Sequence, residues 1–212
     1  MPTTKNKRLA QGERSRDEIL DAASQLMARR GYEGTSVADI ARESGLPNSS
    51  IYWHFQSKQG ILAAVMERGA ERFFGDVRPT PPEEGEEPEE HLRRSFDRIG
   101  KVFRAHPDFL RLFVLLLLSN EDEGVGDIVR RVRERGRASL RAQVAESLSP
   151  WGAQVATAVS ERIADFALAG FDGAFLALQA NSPTSHDTLL EQLADSLVAL
   201  AARERDRLVA AP

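Results

Sequence analysis

Residues 35–58, TSVADIARESGLPNSSIYWHFQSK, decide how this chain is read. In the first half, Val37, Ile40 and Ala41 make one apolar face at helical spacing, and Thr35 or Ser36 stands where a side-chain oxygen caps a first turn. Ser44, Gly45, Leu46 and Pro47 then form a tight turn, and a two-turn helix follows from about Asn48 to Phe55 with Ile51 and Phe55 on its buried side. Two short helices across such a turn fit a helix-turn-helix unit, in which one helix crosses the DNA backbone and the next enters the major groove. Spacing alone does not decide it, because pairs of short helices occur in many bundles.

The side chains of the second helix add the chemistry. Asn48, Ser49, Ser50, Tyr52, Trp53 and His54 crowd hydrogen-bonding and aromatic groups into two turns. Asn pairs with adenine edges, serines reach bases or phosphates, and Tyr52, His54 and the following Lys58 are suited to phosphate oxygens. Each also has a plainer reading: Trp53 as the cover of a small core, His54 as a surface histidine, Lys58 as a solvated lysine at a helix start.

Outward from this stretch nearly everything carries helical periodicity. Ile19, Ala22, Ala23 and Leu26 mark a helix over about 15–30, with Ser15 and Glu18 as its expected capping box. Beyond the central stretch, Ser57 is placed to cap a fourth helix to about Phe74. Residues 75–90, GDVRPTPPEEGEEPEE, hold four of the ten prolines and six glutamates, an acidic linker or loop that charge repulsion and proline stiffness should extend. Further helices are expected over 89–105, 107–119, from the Gly124–Gly126 interruption to about Leu148, from Pro150 to about Ala180, and over 186–207. The fold class is therefore all-α. Residues 13–73 form a three-helix DNA-binding domain with a fourth helix as connector, and residues 91–207 a larger helical domain.

With 42% hydrophobic residues in 212 the chain can bury a substantial core, and without cysteine it has neither disulfides nor a thiolate metal site. The net charge of -4 hides a basic start, in which Lys5, Lys7, Arg8, Arg14 and Arg16 face only Glu13. The apolar run Phe109 to Leu118 is broken by Arg111 and is far shorter than the roughly 20 residues of a membrane span, so the expectation is a soluble, cytoplasmic protein without membrane partners.

Residues 31–66, GYEGTSVADIARESGLPNSSIYWHFQSKQGILAAVM, resemble the TetR family of transcriptional repressors. The resemblance rests on Gly31, Tyr32, Thr35, Ile40, Ala41, Gly45, Tyr52, His54, Phe55 and Lys58. It implies that Ser36 and Ala38 lie near the DNA backbone and that Asn48, Ser49 and Ser50 read the groove. It further implies that Tyr52, His54 and Lys58 hold phosphates and that Trp53 lies against sugar or base methyl groups. Pro47 departs from the family pattern, standing where many members carry a small hydroxyl residue, so the helix starts at Pro47 or is capped by Asn48.

A two-turn helix offers too little contact for repressor-like affinity, so two copies are expected to act together on a palindromic double-stranded operator. Leu189, Leu193, Leu197 and Leu200 of the last helix are the expected dimer interface, with filling of the monomer core as the alternative. Among the aromatics of the larger domain, Phe103, Phe113 and Phe166, with Asp172, are the candidates for an effector pocket. A carboxylate at Asp172 on an apolar face needs a partner, either a cationic ligand or an arginine of a neighbouring helix. No cofactor and no metal are expected. His91, His106 and His186 are the only raw material for catalysis and form no catalytic motif, so no catalytic residue is assigned. The rival is a helical adaptor that binds protein in place of DNA.

Overall fold

The computed structural model describes residues 4–119, 123–180 and 182–210. These residues form nine α-helices and one 3-10 turn, with no strand among them. In chain order they are α1 Thr4–Arg30, α2 Val37–Ser44, α3 Asn48–Phe55, α4 Lys58–Asp76, α5 Pro88–Ala105, α6 Pro107–Leu118, α7 Glu123–Ser147, α8 Ala153–Gln179 and α9 His186–Val209. The 3-10 turn, Ser149–Trp151, lies between α7 and α8. It takes up Pro150, which the sequence reading made the start of α8; that helix begins instead after Gly152.

The first helix is longer than its periodicity. It begins at Thr4, so Ser15 and Glu18 lie in its interior and form no capping box. The apolar spacing marks only the buried part, Ile19 to Met27, whereas Leu9 keeps 59% of its surface exposed. A solvated helical stretch leaves no hydrophobic period to read.

The chain divides into two units, Met1–Arg72 with His106–Val132, and Phe73–Ala105 with Arg133–Pro212. In the first, α1 packs on α2, α3 and α6. Ile19, Leu20, Leu26, Ile40, Ile51, Ile61 and Leu62 are almost wholly buried there. The apolar helix α6 contributes Phe109, Leu112 and Phe113 to this unit, with the Phe109 ring against Gly69 of α4.

The second unit is built on α5, α8 and α9. Its centre is a group of rings: Phe103 lies 5.4 Å from Phe73, 5.3 Å from Phe171 and 6.2 Å from Phe175, and Phe96 lies 5.0 Å from Phe171. At Gly170 of α8 a Cβ atom would collide with Leu193 of α9, and at Gly100 of α5 with Leu190, so both contacts require the missing side chain. Helix α7 is held to α8 differently, by a ladder of ion pairs: Arg133 with Asp172, Arg137 with Asp165 at 2.7 Å, and Arg141 with Glu161 at 3.8 Å.

The acidic stretch is shorter as a loop than its composition implies, because Pro88 already opens α5. Its glutamates do not simply repel one another. Arg94 of α5 donates from Nε and Nη2 to both Glu86 carboxylate oxygens at 2.8 and 2.6 Å, and Arg98 donates from Nη1 to Thr80 Oγ1 at 2.6 Å. The Arg94 hydrogen bonds hold the Glu86 carboxyl down at about 2.

Burial pushes His54, His91 and His186 below the usual histidine range, with the Arg16 charge adding to it at His54 and the Glu86 charge opposing it at His91. A histidine buried neutral stabilises the fold above its unfolded pKa, about 6.5, and that contribution is lost as pH falls through the lower folded value. Thermal melts at about pH 7.5 and about pH 5.5 should therefore show a lower midpoint in acid, and His91→Asn should flatten the difference. Equal midpoints at the two values would show that these imidazoles are not buried neutral.

Candidate DNA-binding interface

Ser36 is the N-cap of α2, in extended backbone at φ -99° and ψ 159°. Its Oγ accepts from the Asp39 main-chain N–H at 3.1 Å, while Asp39 Oδ2 accepts from the Ser36 main chain at 3.1 Å and from its hydroxyl at 2.6 Å. These bonds to Ser36, with the Arg42 guanidinium beside them, hold the Asp39 carboxyl at about 2. The capping box thus occupies the Ser36 hydroxyl. Ala38 is exposed on the next turn.

Gly45 closes α2 in the left-handed region at φ 70°, where other residues are strained. Pro47 is the N-cap of α3 at φ -68°, and no side chain caps that helix. Neither of the two starts left open by the sequence holds: Pro47 itself is the N-cap, and Asn48 is the first helical residue. Pro47 fixes the extended entry, and its carbonyl accepts from the Ser50 N–H at 2.9 Å.

On α3, Ile51 and Phe55 are buried toward the first unit's core, and Asn48, Ser49, Tyr52 and Trp53 are exposed. Tyr52 keeps 51% of its surface in solvent and Trp53 76%. Ser50 and His54 are half-buried, and the His54 ring meets Trp53 edge to face at 4.6 Å. The plainer reading of Trp53 as the cover of a core is overturned: it covers nothing in this chain. Lys58 is half-buried at the start of α4, with Nζ 4.2 Å from the Tyr32 ring centre and 3.7 Å from Glu33 Oε2. The structure also brings in Arg16, whose guanidinium lies 5.5 Å from the Phe55 ring centre. The sequence offered only a basic start to the chain; which of its cations reaches α3 depends on the length and direction of α1.

Helix α3 ends on Gln56, a non-glycine residue at φ 63° and ψ -34° whose N–H donates to the Tyr52 carbonyl at 3.0 Å. Backbone strain of this kind stores about 1–3 kcal/mol and gathers at functional sites. Gln56→Gly should raise the unfolding free energy by about 1 kcal/mol in a denaturant melt, and an unchanged or lower value would remove the strain from the account.

The other candidates are scattered. Phe113 is buried in the first unit, stacked with Phe109 at 6.4 Å. In the second unit Phe103 lies inside the aromatic core, whereas Phe166 is 50% exposed on α8. Asp172 is half-buried and its partner is Arg133, the neighbouring-helix alternative. In α9, Leu193 and Leu197 are buried within the protomer, which leaves Leu189 and Leu200 half-buried at its surface. For Leu193 and Leu197 the core-filling alternative holds, because Leu193 packs over Gly170.

Two short helices across a left-handed glycine turn, the second offering solvent a polar and aromatic face, define a helix-turn-helix protein. Residues 19–65 match the family model described as bacterial regulatory proteins, tetR family. The transcriptional repressor ComR of Escherichia coli (strain K12) is 28% identical over 120 residues, 57% of each chain. The repressor KstR2 of Rhodococcus jostii (strain RHA1) is 38% identical over 63 residues, covering 30% of this chain and 31% of that one. The chain thus spans between about a quarter and just over half of the length of the curated relatives it matches. The SmeT–triclosan complex shares the fold at a TM-score of 0.68 and 18% identity, covering 87% of this chain and 90% of that one. Among the described residues no helix is long and apolar enough to cross a membrane.

Proposed function

We propose that this chain is a one-component, non-enzymatic transcriptional regulator that binds a palindromic DNA operator as a homodimer and is released by a small-molecule effector. The observation that carries the reading is the exposure of Tyr52 and Trp53 on α3, the second helix of the motif, where two large aromatic rings stand in solvent. Asn48, Ser49 and Ser50 lead that helix into the groove, Tyr52 and His54 meet phosphates, and Trp53 meets sugar or thymine methyl groups. Ser36 and Ala38 bring the start of α2 to the backbone. Lys58 adds its charge on leaving Glu33, and Arg16 adds a further cation. Repression rather than activation rests on relatives such as ComR, described as a repressor.

Dimerisation is supported by apolar surface on α8. Phe166, Leu176 and Leu178 are each at least 40% exposed, and Leu189 and Leu200 of α9 are only half-covered. Two copies joined there would have to present their α3 helices about 34 Å apart, or a multiple, to meet successive major grooves. An effector that binds one spacing better than the other shifts operator affinity. The SmeT structure, described as a triclosan complex, supports the expectation of an effector but not its identity.

The test is an anisotropy titration of the full chain against DNA from around its own gene at two salt concentrations. Saturable binding of a dimer to one short palindrome, steeply weakened by salt, is expected. Feeble, equal binding to every fragment, and to genome-wide selected DNA as well, would leave the protein-binding adaptor.

A further inference from the structure

Folded proteins give nearly all buried polar atoms a partner. Of seven buried side-chain atoms without one among the described residues, five belong to His91, Ser95, Arg98 and Gln143 of the second unit: His91 Nε2, Ser95 Oγ, Arg98 Nη2 and both amide atoms of Gln143. His91, Ser95 and Gln143 are at most 1% exposed.

One hydrogen bond links the two helices that carry them. His91, Ser95 and Arg98 stand four and three residues apart on one face of α5, and Gln143 and Ser147 stand four apart on one face of α7. His91 Nδ1 lies 2.8 Å from Ser147 Oγ. Toward the other end, Phe103 of α5 packs on Phe73, Phe73 on Phe74, and Phe74 on Arg135 of α7. Ser95 lies one turn from His91 on α5, and Gln143 one turn from Ser147 on α7.

The proton positions define what is missing. Ser147 Oγ donates to the Gln143 carbonyl at 2.9 Å, so it accepts from His91 Nδ1–H. Burial keeps the imidazole neutral. The Thr80 main chain hydrogen-bonds the ring and favours its charged form, yet Nε2 has no partner in full hydrogen-bond geometry. At the other end, Arg98 has Thr80 on Nη1 and, among the described residues, no carboxylate within ion-pair distance, whereas Arg94 beside it is taken by Glu86 and Glu83. Ser95 and Gln143 add neutral donors. One unpaired cation matches a singly charged anion; a dianion would need a second. His91 and Arg98 are about 10 Å apart along the helix, the length of a substituted ring or short chain.

We infer that the second unit binds an organic monocarboxylate with a hydroxyl at its far end, the carboxylate on Arg98, Ser95 and Gln143 and the hydroxyl on His91 Nε2. The inference rests on the effector-sensing reading above and gives that effector a chemical class.

Calorimetry of the full chain without DNA tests the site, with 4-hydroxybenzoate as probe and benzoate and 4-hydroxybenzamide as its controls. The probe should bind once per protomer, and each control at least about tenfold more weakly, the scale of one charge-assisted hydrogen bond. Arg98→Met should abolish the preference for acid over amide, and Arg98→Lys should keep part of it, with thermal melts showing both variants folded. Absence of probe binding at millimolar concentration, equal binding of acid and amide, or a preference unchanged in Arg98→Met would overturn the inference. So would a Ser95→Ala, Gln143→Leu variant that is more stable yet binds the probe as before, the result expected of a cluster satisfied by water alone. Operator affinity is measured separately with and without 4-hydroxybenzoate. Binding that leaves it unchanged keeps the site and removes induction, whereas operator binding without probe binding keeps the regulator and removes the site.

Discussion

Phe103→Ala is expected to lower the unfolding free energy by about 3–5 kcal/mol, enough to take most of the stability of an ordinary domain. The ring is 8% exposed and meets Phe73, Phe171, Phe175 and His186. Its removal leaves a cavity that neighbours on α5, α8 and α9 cannot close, because Gly170 with Leu193 and Gly100 with Leu190 already hold these helices at their closest approach. Urea unfolding followed by circular dichroism measures it. The result also separates two roles for Phe103: a ring that only lined an effector pocket would lose less than about 1 kcal/mol and would change effector affinity instead.

Replacing Tyr52 and Trp53 together by alanine should weaken operator binding by about a hundredfold, two contacts of about 1.4 kcal/mol each, with the melting temperature unchanged. The second half of that expectation follows from their exposure, since neither side chain fills the core that Ile51 and Phe55 close. Anisotropy with the parent operator gives the first half and a thermal melt the second. Unaltered DNA affinity would move recognition off the exposed face of α3. A drop in melting temperature of many degrees would mean that the rings are structural after all.

The helix-turn-helix was legible because its boundaries are written in local chemistry: Ser36 with Asp39 opens α2, Gly45 closes it, and Pro47 fixes the entry to α3. Such signals need no knowledge of the rest of the chain. The start of α1 was not legible, because a solvated helix carries no apolar period. Nor was the order of the acidic loop, since the cations that hold Glu86 and Thr80 are supplied from α5. The apolar character of α6 announced burial without saying that its partner is α1. In the candidate pocket, hydrophobicity selected Phe103, Phe113 and Phe166, yet packing took the first two into different units and left the third outside. His91 of α5 meets Ser147 of α7 56 residues on, a tertiary contact that no spacing along one helix reveals.

The second unit is mechanically uneven. Helices α5, α8 and α9 interlock through positions where even a methyl group has no room, so sliding one past another would need the core to be rebuilt. Helix α7 buries Leu140, Val144 and Leu148, and along its other side it is tied to α8 by a row of guanidinium–carboxylate pairs. Long charged side chains re-aim over several ångströms at little expense, and interlocked methyl groups do not. The seam between α7 and α8 is therefore where this unit yields at least expense, and the interlocked contacts of α5, α8 and α9 are what keep its shape.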